Sequence, residues 1–282
     1  MKISLRPVLL LVLASPLAHA EVTGESAMVP PDNEIKGPLL IAGLRGMSTD
    51  RPDVTESPFT VDAGHFQVEA DLASNTRNDR DGVRSREWSY GATNVRYGVS
   101  HDFELGCFVA PWTDHRETSD GRTQVRRGFG DVVVRGKLNF WGNDGGRSAG
   151  GLIVDIKIPT ASGGLGNGAV EGTVFAPLFW EWENGWDVSA MVALDLRRSD
   201  DRVARLQPGL ISSVSVGRAL TKALGMYAEL ASETGIGPAT AAFDIGLTYQ
   251  INADTEVDVG VNVGLNSATD AGHFFAGIAR RF

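Results

Sequence analysis

Cysteine is nearly missing from this chain: Cys107 is the only one in 282 residues. A single thiol forms no internal disulfide, so the fold is held without covalent cross-links. Histidine is sparse too. Beyond residue 20 there are four, His65, His101, His115 and His273, and with the one cysteine they make no metal-binding spacing, so no metal or other cofactor is expected. Long apolar runs are absent past residue 20, where nothing approaches the ~20 apolar residues of a membrane-spanning helix. Basic charge is in deficit. Lys and Arg number 26 against 35 Asp and Glu, a formal net charge of -9, which argues against nucleic acid as a partner. No Gly-x-Ser-x-Gly elbow occurs, and no His is followed two positions on by Ser, so the chain is not expected to be an enzyme.

What is present begins with an export signal. Residues 1–20 read as a signal peptide, with Lys2 and Arg6 ahead of the apolar Val8 to Leu13 and an Ala18-His19-Ala20 cleavage site. Residues 21–60 are crossed by Pro30, Pro31, Pro38, Pro52 and Pro58, which opposes regular structure. That segment is expected to be a periplasmic tail, a lumenal plug or a membrane-surface contact. Residues 61–282 alternate with a period of two in about twelve stretches. In the clearest, Val257, Val259, Val261, Val263 and Leu265 face one way and Glu256, Asp258, Gly260, Asn262 and Gly264 the other. Others are 66–72, 131–140, 187–197, 224–230 and 243–250, with weaker ones at 86–99, 103–112, 148–159, 172–183 and 204–218. Their lengths suit tilted membrane strands of roughly 9–11 residues.

Connections alternate in character. Short ones at 100–102, 142–147, 184–185, 219–223 and 252–255 are expected to be periplasmic. Longer polar ones at 74–85, 113–128, 160–171, 198–203, 232–239 and 267–271 are expected outside the cell. Asn184-Gly185 is a strong hairpin dipeptide. Trp141, Trp180, Trp182 and Trp186 cluster at short turns, as an interfacial girdle would place them. The expected fold is all-β, a transmembrane antiparallel barrel of about 12 strands in the bacterial outer membrane, with outer-membrane lipids as its surroundings. Gly is abundant at 34 residues, above the usual ~7%. The last strand ends on Phe282, a terminal aromatic expected to signal to the barrel assembly machinery.

The inward phase carries Glu69, Asp71, Asp131, Arg135, Lys137, Asp155, Lys157, Asp187, Asp195, Arg197, Glu229, Asp244 and Asp258. These are the lumen-facing candidates. They suit either a permeation path with an electrostatic filter or pairing that holds a narrow, closed barrel together.

The run from Ser48 to Val61, Ser-Thr-Asp-Arg-Pro-Asp-Val-Thr-Glu-Ser-Pro-Phe-Thr-Val, leads into Gly64-His65-Phe66-Gln67-Val68-Glu69. It resembles the start of a family of outer-membrane transporters named for the meta-pathway of phenol degradation. Gly128-Phe129-Gly130-Asp131, and Gly260 to Asn266 with Phe275 to Ile278, resemble other motifs of that family. The likeness covers residues 48–282. It implies uptake of small hydrophobic or aromatic compounds. Alternatives are a non-transporting structural barrel or a lipid-modifying barrel enzyme. The membrane reading has a direct check: the protein should fractionate with the outer membrane and shift in gel mobility on heating, whereas recovery as a soluble periplasmic protein would refute it.

Overall fold

A computed structural model describes residues 43–80, 82–198 and 205–282. The expected signal peptide and most of the segment after it lie outside the described residues. Fifteen strand segments follow in order: β1 (Phe66–Arg80), β2 (Val83–Tyr90), β3 (Thr93–Gly98), β4 (Phe103–Val109), β5 (Trp112–Ser119), β6 (Arg122–Gly128), β7 (Val132–Trp141) and β8 (Ser148–Ile158). Then come β9 (Glu171–Glu181), β10 (Trp186–Arg198), β11 (Leu206–Ala219), β12 (Leu224–Thr234), β13 (Thr240–Asn252), β14 (Thr255–Gly264) and β15 (Gly272–Arg281). Three pairs of segments are halves of interrupted strands, β2 with β3, β4 with β5 and β6 with β7, so the segments make twelve barrel strands. All neighbours are antiparallel. The sheet closes where β15 pairs with β1, Gln67 opposite Arg281, and Phe66 and Phe282 exchange backbone hydrogen bonds of 3.2 and 2.7 Å. Closure leaves no lipid-facing edge, which is what permits strands in a bilayer.

The alternation sorts as expected. Val257, Val259 and Val261 point outward, as do Leu178, Trp180, Val192 and Leu194, and the intervening residues point inward. Trp141, Trp180, Trp182 and Trp186 are all exposed at the end of the barrel that carries Phe66 and Phe282. Arg218 lies over the Trp186 ring at 4.7 Å. Arg280 falls in the outward phase and rests on the Phe282 ring at 5.2 Å, so its cation stays at the interface. At the Asn184-Gly185 turn both residues take positive φ, 62° and 74°.

Two expected loops are strands. Residues 74–85 belong to a hairpin in which β1 and β2 pair as far as Arg80 opposite Val83. Residues 113–128 form β5 and β6, turning at Asp120 and Gly121 with φ of 51° and 71°. Both stretches are polar on both faces. A strand projecting above the lipid is wet on both sides, so the alternation that marks a strand in the membrane is lost.

These extensions start at one height. β1 bulges between Asp71 and Ala73, β2 and β3 part at Gly91-Ala92, β4 and β5 at Ala110-Pro111, and β6 and β7 at residues 129–131. Proline lacks the N–H the ladder requires, and Gly91 takes φ +68° with a Cβ position 3.4 Å from the Pro111 ring. The breaks are bridged by Asp71 N–H to the Ala92 carbonyl (2.7 Å) and Gly130 N–H to the Ala110 carbonyl (2.9 Å). Four adjacent strands therefore crease together.

Sidedness is tested by cysteine labelling. Cys107 looks outward between Val95 and Val134, so Cys107→Ala gives a clean background. Asp120→Cys should react in intact cells and Asn184→Cys only after permeabilisation; the reverse pattern would invert the barrel.

Candidate functional site

The lumen is occupied by the chain's own residues 45–62. This stretch enters at the end carrying Phe66 and Phe282, turns at mid-barrel and returns to the start of β1. Its neck is closed by Arg45 Nε donating to Asp62 Oδ1 at 2.7 Å, and its two arms meet where Ser48 and Ser57 hydroxyls bond at 2.9 Å. Such a loop has no strand or helix ladder for its backbone, yet Asp50, Arg51, Asp53, Thr55, Glu56 and Ser57 are buried. Each buried N–H and C=O must find a partner, and the barrel wall supplies them from side chains.

The outgoing arm is held by charge. Asp50 N–H donates to both Glu69 oxygens at 3.0 and 2.9 Å, and the Asp50 carboxylate accepts from Lys137 and from Arg135 at 3.3 Å. Arg51 reaches Asp258 with two donors at 2.9 and 2.7 Å and Asp71 with a third. Gly277 makes room for it: a Cβ there would lie 2.2 Å from the Arg51 guanidinium. At the tip, Val54 N–H donates to Glu229 at 2.7 Å, and the Thr55 hydroxyl contacts Glu229 and Ser213. Glu56 pairs with Arg135. On the returning arm Asn139 Nδ2 donates to the Pro58 carbonyl at 2.9 Å, and Val61 N–H to Glu104 at 2.7 Å.

Arg96 joins the arms. It is fully buried, and its fork donates to Glu104 (2.8 and 2.9 Å), Glu69 (2.7 Å) and the carbonyls of Ser48 (3.0 Å) and Phe59 (3.1 Å). An apolar patch completes the wall. Ile153, Phe175, Met191 and Ala193 cluster inside and receive Val54. Phe59 meets Phe179 edge-on, with centroids 5.2 Å apart.

Of the residues singled out from sequence, Glu69, Asp71, Arg135, Lys137, Glu229 and Asp258 touch the loop directly, and Asp155 anchors Arg135 at 2.7 and 2.8 Å. Asp131 and Lys157 form a group with Glu171 near the far rim, 3.1 and 2.8 Å from the Lys157 ammonium. Asp195 and Arg197 pair there with Glu233. Asp244 accepts from the Tyr227 hydroxyl at 3.1 Å. Asp187 is buried at the other end with no hydrogen-bond partner among the described residues. Sequence reasoning left out Arg96, Glu104 and the loop's own Asp50, Arg51, Asp53 and Glu56. Residues 94–97 carry the signal, Asn94 and Arg96 inward against Val95 and Tyr97 outward, but the strand is short and broken at Gly91.

Asp53 differs from its neighbours. Its carboxyl group is fully buried and shares the tip with the carboxyls of Glu229 and Asp244, with the Ser215 hydroxyl beside it. The loop is therefore clamped at Arg51 and crowded by carboxyl groups two residues later.

A closed antiparallel barrel, apolar outside and charged inside, defines an integral β-barrel of the bacterial outer membrane. Residues 49–282 match the model of the family described as "Putative MetA-pathway of phenol degradation", and the chain belongs to that family. Among solved structures, the COG4313 outer membrane channel from Pseudomonas putida F1 is similar at 12% identity, with 83% of this chain and 100% of that chain covered and a TM-score of 0.59. The translocator domain of the autotransporter NalP from Neisseria meningitidis is similar at 8% identity, covering 78% and 90%, TM-score 0.50. The β domain of the Bordetella autotransporter BrkA is similar at 12% identity, covering 78% and 99%, TM-score 0.50. At these identities the likeness is one of fold. No curated protein matches the sequence.

The loop's neck also carries a pH-dependent tie. The His101 carbonyl accepts from Arg45, Thr60 and Asn143, while its ring bonds Asp102 at 2.6 Å and Asp144 at 2.7 Å, joining two turns. Hydrogen bonds to Asp144 and then Asp102 raise its pKa above the ordinary histidine value of 6.5. A raised pKa means the tie is fully present below the unfolded-state value and is lost as pH climbs through the folded one. NMR titration should find His101 protonating above an ordinary histidine and falling back in Asp144→Asn; an unshifted titration would show that the tie does not form.

Proposed function

We propose that the protein is a plugged outer-membrane channel for small hydrophobic or aromatic solutes, with the loop 45–62 as its plug. The observation that carries this reading is the way the loop is held. Among the described residues, the bonds named above that fix it inside are side-chain bonds or apolar contacts, and none of them belongs to the strand ladder. It can leave the lumen without opening the barrel. As it leaves, water can reach Glu69, Asp71, Glu229 and Asp258, so their desolvation cost is relieved rather than stranded.

The solute class rests on the family description together with the apolar patch. Phe59 and Val54 now cover Phe179, Phe175, Ile153 and Met191. An aromatic solute arriving there would replace Phe59 against Phe179, edge to face, and so compete with the plug for the same surface. Beyond the patch the wall is charged, with Lys157, Glu171 and Asp195, which favours onward passage over retention. The histidines do not support an enzyme. His65 immediately precedes β1 and His273 is the second residue of β15, at opposite ends of the barrel, while His101 and His115 bond carboxylates.

Two substitutions should act in opposite directions. Arg51→Ala leaves Asp71 and Asp258 without their cation, and breaking such a buried pair costs about 3–5 kcal/mol. That approaches the ~5.5 kcal/mol that inverts a 1:99 equilibrium, so the plug should spend much of its time displaced. Asp53→Asn removes the crowded carboxyl at the tip and should seat the plug more firmly. In planar bilayers the expected result is higher conductance per folded barrel for Arg51→Ala and lower for Asp53→Asn. If both variants conduct as wild type while their melting temperatures change, the charges only brace a closed structural barrel. Unchanged uptake of phenols, aromatic acids and alkanes by a deletion strain would remove the support for transport.

A further inference from the structure

The outward face of the creased extension carries an arrangement that the barrel itself does not need. Cross-strand register places Arg77 opposite Arg86 and Arg86 opposite Arg116. Three arginines thus stand side by side on β1, β2 and β5, all exposed. Directly opposed residues on neighbouring strands lie ~5 Å apart, and like charges there destabilise a sheet. Little nearby offsets them. Arg77 Nε donates to the neutral Asn75 at 2.9 Å. Arg116 shares the single carboxylate of Asp114 with Arg127, at 2.9 and 2.6 Å. Asp79 is taken by Arg84 at 3.1 Å. Among the described residues, five arginines meet two aspartates on this face, in a chain whose net charge is -9.

Position gives the row its meaning. On the same outward face, four residues nearer the apolar band, Tyr90 sits opposite Trp112, and Trp88 stacks on Tyr90 with centroids 5.9 Å apart and planes 6° from parallel. Exposed aromatics of this kind mark the edge of the hydrocarbon. Four residues further along a strand is about 13 Å, less once the strand tilts, which puts the arginines at or just above the lipid headgroups. Guanidinium forks bind phosphate oxygens in pairs.

We propose that Arg77, Arg86 and Arg116, with Arg127 beside them, form a docking row for the phosphate groups of anionic lipids in the surrounding leaflet. The occupant is a membrane lipid and not a soluble anion, because the row continues the aromatic belt and opens sideways to the leaflet. Bound phosphate cancels the repulsion along the row and fixes the creased extension against the membrane. The site is independent of the lumen.

The test uses the purified, folded, heat-modifiable protein and lipid retention measured by native mass spectrometry, with phosphatidic acid against phosphatidylcholine as probes. Wild type should retain phosphatidic acid preferentially, and Arg77→Gln/Arg86→Gln/Arg116→Gln should lose about tenfold of that preference, the scale of one or two charge-assisted contacts. Arg86 has no partner in the protein among the described residues, so Arg86→Glu keeps the test open if the triple variant assembles poorly. It should lower phosphatidic acid retention and, by relieving the like-charge row, raise the melting temperature in zwitterionic detergent. Those two changes together are not expected of a purely structural arginine. Equal retention of both lipids by wild type would overturn the proposal. So would unchanged preference in the folded variants, or displacement of the lipid by millimolar inorganic phosphate, which would make it a free-anion site.

Discussion

An irregular backbone buried inside a closed barrel must have its polar groups answered, and most of what is distinctive here follows from that requirement. The barrel needs nothing from its interior to close; its strands satisfy one another around the full circle. The loop 45–62 has no such ladder. Pro52 and Pro58 remove two of its donors and exclude helix or strand over much of its length. The wall answers with carboxylates for the loop's N–H groups, as Glu69, Glu104 and Glu229 do for Asp50, Val61 and Val54. It answers with cations and amides for the carbonyls, as Arg96, Asn139 and Gln67 do for Ser48, Phe59 and Pro58. A lumen lined with charge is thus the complement of one particular loop as well as a polar surface.

Arg96 shows why residue type matters at such a place. Five bonds leave one side chain, two to Glu104, one to Glu69 and two to carbonyls on opposite arms of the loop. Only a planar fork with five donors meets all of them. A lysine would keep the charge and leave at least two acceptors without a donor in a site closed to water. The same reasoning separates the clamp from the tip. Arg51 has two carboxylates within reach, whereas Asp53 meets no cation among the described residues and has two other carboxyl groups close by. Strong holding and a crowded carboxyl cluster within three residues suit a segment that must be seated and yet removable.

Much of the fold was legible in the sequence, because in a membrane barrel one side of each strand faces lipid. That constraint writes a period of two into the chain, and 256–266, 224–230 and 187–197 were readable from it. The same parity singled out the inward charges from Glu69 to Asp258. Legibility failed where the constraint stops. Above the crease both faces of β2, β5 and β6 are wet, so hairpins read as polar loops. Inside the lumen, inward positions answer to a loop that is distant in sequence. Asp50 meets Lys137 and Arg51 meets Asp258 across 87 and 207 residues, and no local pattern announces such pairs. Phe175 and Phe179 were hidden for a related reason: an apolar residue in the inward phase weakens the alternation that would have marked its strand.

The two arginine systems of this barrel separate what folding requires from what it tolerates. Inside, Arg51, Arg96 and Arg135 are buried, and each has at least two carboxylate oxygens as partners. A buried cation without them would cost several kcal/mol, so each of these three arginines is met by carboxylates of the wall or the loop. Outside, above the crease, Arg77, Arg86 and Arg116 share one row and a single nearby carboxylate. In water the row costs only tenths of a kcal/mol per like-charged pair, too little to prevent folding, yet nothing in the fold gains from it. A charge arrangement that the protein neither needs nor neutralises is complete only with an anion from its surroundings. At this height beside an aromatic belt, the surroundings are lipid headgroups.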